Sequence, residues 1–124
     1  MTTYELMMKV KEALDEAGFE TSSPKFANLR DFEHHGTGTK DGKSWWQPVE
    51  GFKCTEFTGY TIEFGVVYRH NGTDENKSVD IEIRNWKKGG GWLVAKERLN
   101  VDHSEKQIQN RIKKIIDQYN AIEI

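Results

Sequence analysis

The chain is poor in the residues that staple or break a fold. One cysteine, Cys54, stands among 124 residues, so no internal disulfide can form and the stapled scaffold of a small secreted domain is excluded. Its two prolines, Pro24 and Pro48, fall outside both segments of helical periodicity. The amino terminus has no apolar run of signal-peptide or transmembrane length, which predicts a cytoplasmic, reducing location and no membrane partner. In that setting Asn71-Gly-Thr73 is a turn rather than a glycosylation site. Neither sign of charge dominates: 18 basic and 20 acidic residues leave a formal net charge of -2, so the chain as a whole has no pull towards nucleic acid or an anionic membrane. At this length a single domain with a real hydrophobic core is expected.

Metal-ligand spacing is missing too. His34 and His35 are adjacent and point to opposite faces of an extended segment, while His70 and His103 have no carboxylate or cysteine at a recognised spacing. Cys54 has no neighbour that would stabilise a thiolate and reads as a small buried hydrophobe. No metal, cofactor or catalytic residue is expected.

What the chain does have is alternation. Tyr60, Ile62, Phe64, Val66 and Tyr68 alternate with Thr61, Glu63, Gly65, Val67 and Arg69, and Val79, Ile81 and Ile83 alternate with Asp80, Glu82, Arg84 and Trp86. This period of two predicts half-buried strands, with turn chemistry over 71–76 between them. A third strand, Trp92 to Leu99, follows the glycines of Lys87-Lys-Gly-Gly-Gly91. Pairing Phe64 with Ile83, Val66 with Ile81 and Tyr68 with Val79 sets Glu63 opposite Arg84. Pairing Ile83 with Ala95 and Asn85 with Leu93 sets Trp86 against Trp92, Glu82 against Lys96 and Asp80 against Arg98. Opposite charges then meet at each of these charged rungs, which supports the register.

Helical periodicity marks both ends. Leu6, Met7, Val10, Leu14 and Ala17 form one stripe, with Thr2 and Glu5 at capping-box spacing and Gly18 placed to end the helix. Ile108, Ile112, Ile115, Tyr119 and Ile122 form the other, with Asp102 as the expected cap and Glu105 three residues on. The expected fold is therefore α+β: an antiparallel β-meander of three to five strands, flanked by an amino-terminal and a carboxy-terminal helix. The two further strands are sought at Phe26 to Phe32 and Val49 to Phe57.

Between these lies the segment from His34 to Pro48, whose glycines and polar residues predict a long irregular loop. Gly42-Lys43-Ser44 ends like a Walker A sequence, but Thr37 stands where its first glycine belongs and Trp45-Trp-Gln-Pro48 cannot continue as the required helix. A looser anion site using Lys40 or Lys43 is the residual reading of this loop. Glu63 with Glu82-Ile83-Arg84 loosely matches a pattern of metal-dependent nuclease cores, which place an acid on one strand and Glu-x-Lys on the next. Arg84 departs from it, and the cross-strand partners already account for the carboxylates.

Four tryptophans remain to be explained. Tryptophan concentrates binding energy at interfaces, and Trp45, Trp46, Trp86 and Trp92 are the expected anchors of a non-enzymatic binding or inhibitory protein. Lys43, Lys88, Lys96 and Arg98 stand beside them as a basic fringe. A protein partner or a small anionic ligand is the first expectation, nucleic acid the second, and homo-oligomerisation a further use of the same surface. Small stand-alone proteins of this kind are common in phages and mobile elements, where they inhibit host machinery; that origin is a background expectation.

Overall fold

The computed structural model of the chain describes residues 1–21, 35–39, 59–66, 78–85, 87 and 91–122. These form α1 (Thr3–Glu16), β1 (Glu20–Thr21), β2 (His35–Thr39), β3 (Tyr60–Val66), β4 (Ser78–Asn85), β5 (Trp92–Asn100) and α2 (Glu105–Asn120). The expected α+β meander is present: five strands lie in the order β1-β2-β3-β4-β5, each antiparallel to the next. Among the described residues no helix is long and apolar enough to cross a membrane.

Both helices cover one face of this sheet. Leu6, Met7, Val10 and Leu14 of α1 and Ile108, Ile112, Ile115 and Tyr119 of α2 are buried against Ile62, Phe64, Val79, Ile81, Ile83 and Leu99. The two helical stripes and the strand alternation thus meet as one apolar layer, which removes that surface from water at roughly 25 cal/mol per Å². Phe19 closes the layer beside α1, its ring edge-on to Tyr119 at 4.9 Å, and the Tyr119 hydroxyl donates to the Tyr60 carbonyl at 2.9 Å. Gly18 ends α1 with φ at 91°, a conformation that carries no steric cost without a Cβ.

Four expectations are corrected. The segment His35–Thr39 is a strand, paired along β3 as His35 with Gly65, Gly36 with Phe64, Thr37 with Glu63 and Gly38 with Ile62. Its glycines alternate with threonines, so the period of two is kept with glycine in the core-side positions. The β3–β4 register is shifted by two residues: Ile62, Phe64 and Val66 pair with Ile83, Ile81 and Val79. A slip of two preserves which face each side chain occupies, so the apolar pattern cannot distinguish the two registers. Glu63 therefore faces Glu82, not Arg84, and Arg84 faces Thr61.

The β4–β5 pairing is as expected from Asp80–Arg98 to Ile83–Ala95, then changes. Arg84 pairs with Leu93 and Asn85 with Trp92, leaving Val94 as an extra residue in a bulge. Lastly, α2 begins two residues later than expected: Ser104, not Asp102, is its cap. The Ser104 hydroxyl accepts from the Gln107 N–H at 3.2 Å, and the Gln107 side chain accepts from the Ser104 N–H at 2.8 Å. The segment before it is held by side chains, with Asn100 Oδ1 accepting from the Asp102 N–H and His103 Nδ1 accepting from the Asn100 N–H. The strands sought at Phe26 to Phe32 and Val49 to Phe57 lie outside the described residues.

Ser104→Ala should cost about 1 kcal/mol through the lost cap, whereas Asp102→Ala should stay within about 0.5 kcal/mol; urea denaturation of the two variants separates these positions.

Candidate functional site

Strand β5 forms one border of the sheet, with β4 as its neighbour. Its row of outward N–H and C=O groups has no strand partner among the described residues, and such a row is a template for another chain. The amino-terminal end of this border is apolar and open: Trp92, Leu93 and Val94 are 70%, 51% and 48% exposed. Three large apolar side chains in succession cannot all face one side of a regular strand. The bulge at Val94 resolves this by resetting the alternation. Leu93 takes a position opposite Arg84 on the charged face, and Trp92 one opposite Asn85 on the helix side.

The rest of β5 is guarded. Glu97 points towards the helices and is nearly buried, with Arg111 Nη1 at 3.0 Å and Lys114 Nζ at 3.6 Å, both from α2. On the opposite face Asp80 receives Arg98 Nε at 2.7 Å and Lys96 Nζ at 3.1 Å. Burial pushes the Asp80 carboxyl up, but the hydrogen bonds from Arg98 and Lys96 outweigh it and hold the group below the usual carboxylate range.

A second cluster anchors the apolar end. Arg84 reaches Glu82 Oε2 through Nε at 3.0 Å and Nη2 at 2.5 Å, Glu63 Oε2 through Nε at 3.2 Å, and the Gly91 carbonyl through Nη1 at 2.9 Å. One guanidinium thus joins β3, β4 and the residue that leads into β5, where Gly91 turns the chain at φ 57°. Glu63 is only 18% exposed, and Thr61 beside it is fully buried. Among the described residues of the charged face, Thr61 and Glu63 on β3 are the more buried and Lys96 and Arg98 on β5 the more exposed.

Burial raises the Glu63 pKa to about 7; Arg84 opposes the rise and the facing Glu82 adds to it. Chemically, Glu63 can take up or release a proton near neutrality. No group of three or more His, Cys, Asp or Glu among the described residues could hold a metal ion.

Of the residues singled out in the sequence, Trp92, Lys96 and Arg98 all lie on β5, but on opposite faces. Trp92 lies on the helix side of the border, not among the paired charges, and Lys96 and Arg98 are both committed to Asp80. Trp45, Trp46, Trp86, Lys43 and Lys88 lie outside the described residues, as do the expected facing of Trp86 and Trp92 and the anion site of the loop. Leu93 and Val94 were not among the expected anchors. Their signal in the sequence is the unbroken apolar run Trp92-Leu-Val94, which breaks the alternation that the rest of the strand keeps.

The folded value of Glu63 lies above its ordinary 4.5, so the folded chain binds this proton more tightly than the unfolded chain does. The stabilisation is complete below the ordinary value and is lost as pH rises through about 7. Between about pH 5 and pH 8 the wild type should lose roughly 1–3 kcal/mol more than Glu63→Gln, measured by denaturant titration across pH.

No family model matches this sequence, and neither a curated protein nor a solved structure matches the chain.

Proposed function

We propose that this chain is a non-enzymatic binding protein, acting as an inhibitor or adaptor in the cytoplasm, and that it takes a protein partner along the amino-terminal end of β5. The observation that carries this reading is the exposure of Trp92, Leu93 and Val94 in succession on a border strand. An extended segment of the partner would find backbone groups to pair with and apolar side chains to cover, the combination used in strand addition. The tryptophan supplies a large contact area that loses little side-chain freedom on binding. Support for a protein over nucleic acid comes from the charges: Lys96 and Arg98, the described members of the basic fringe, already neutralise Asp80. A reducing location agrees with the single cysteine.

Capture from lysate on immobilised wild-type protein, Trp92→Ala, Leu93→Ser and Lys96→Glu tests the reading. A protein should be retained by the wild type and Lys96→Glu, should persist as salt rises from about 0.05 to 0.2 M, and should be lost from the two apolar variants. Those two variants should change stability by less than about 0.5 kcal/mol, because their side chains are exposed. Retention of nucleic acid that collapses with salt and with Lys96→Glu would replace this reading with the nucleic-acid one. Self-association abolished by Leu93→Ser would make a second copy of the chain the partner.

A further inference from the structure

A different surface, on the helical side of the molecule, bears a groove. It runs between α1 and α2 with a volume of about 300 Å³. Its floor is apolar, made by Ala13, Ile112 and Ile116. Ala13 is the reason that the groove exists: a short side chain stands beside the larger residues of the α1 stripe, and the facing Ile116 is left partly exposed. The ion pair from Lys9 to Glu105, 2.7 Å long, ties the two helices across the groove.

Charge on its banks is uneven. Glu12 and Glu16 line the α1 bank one helical turn apart, both exposed, and neither forms a close ion pair among the described residues, although the Lys9 ammonium that binds Glu105 also attracts Glu12 at longer range. On the α2 bank, Lys113 is paired with Asp117 at 2.9 Å. The groove therefore presents an apolar floor beside two exposed carboxylates without a close ion-pair partner among the described residues, and its volume lies at the lower end for ligand sites.

We infer that the α1–α2 groove docks a basic amphipathic helix of a partner protein. One apolar side chain of that helix rests on Ala13 and Ile116, and lysines or arginines a turn apart pair with Glu12 and Glu16. The spacing of the two glutamates along α1 matches cations at i and i+4 of the docked helix, and the excess of acidic over basic groups along the groove, Glu12, Glu16 and Glu105 against Lys9 and Lys113, favours a basic occupant. This surface is separate from the β5 border and does not depend on the reading given to it.

The test uses isotope-labelled protein and a short amphipathic peptide of leucine and lysine at helical spacing, followed by NMR. Shifts are expected at Ala13, Ile112 and Ile116. Glu16→Lys should weaken binding at least about tenfold, equivalent to about 1.4 kcal/mol, while Glu20→Lys, the same charge change on β1, should weaken it less than about twofold. Ala13→Leu, which fills the groove and keeps every charge, should abolish the shifts while leaving the helical circular dichroism intact. Equal weakening by Glu16→Lys and Glu20→Lys would reduce the attraction to net charge and overturn the site. Shifts that survive Ala13→Leu, or that map elsewhere, would overturn it as well. Trp92→Ala should bind the peptide like the wild type, so failure of the β5 reading leaves this result distinguishable.

Discussion

Arg84 is the point through which the sheet holds its own border. Its guanidinium spends its donors on Glu63 of β3, Glu82 of β4 and the carbonyl of Gly91. The donors of an ammonium radiate from a single atom, whereas a planar fork spreads them over separate nitrogens and reaches all three partners at once. Two carboxylates that face each other across the β3–β4 ladder repel, and the cation beside them makes the arrangement tolerable. The same cation fixes the residue from which β5 departs. The charge ladder and the presentation of Trp92, Leu93 and Val94 are thus coupled through one side chain.

A border strand must avoid pairing with whatever it meets, and β5 shows how this is done over most of its length. Glu97 is drawn inward by Arg111 and Lys114, and Lys96 and Arg98 are held over Asp80. Charges in these positions make indiscriminate strand addition costly. The protection stops at the bulge. Beyond it the side chains are apolar and open to solvent, so the border is charged along one stretch and apolar along another.

The core was legible because it depends on local periodicity. Every residue of the two expected helical stripes is buried or packed against the core, and the alternation of β3 and β4 places their apolar residues on the helix side. The candidate site was legible only in part. Trp92 stood out as a residue type, but its face depends on a bulge whose sign in the sequence is a short apolar run. Arg98 stands opposite Asp80 as the sequence register sets it, whereas Lys96, opposite Glu82 in the ladder, also bonds Asp80. The strand His35–Thr39 escaped notice because glycine is a poor strand former on average, whereas here a neighbouring strand supplies its hydrogen bonds.

By itself the sequence determined the class of fold, the two helices, the strands β3, β4 and β5 and the identity of the core, because each rests on the spacing of apolar residues along a few turns or rungs. Tertiary structure alone decided the β3–β4 register, the bulge in β5, strand membership at β1 and β2, and the partners of Glu63, Arg84 and Lys96. A two-residue slip leaves the facing of every side chain unchanged, so periodicity is blind to it. Only the actual pairing of the meander strands could put Glu63 against Glu82, commit Arg84 to Gly91, and leave Trp92, Leu93 and Val94 facing solvent.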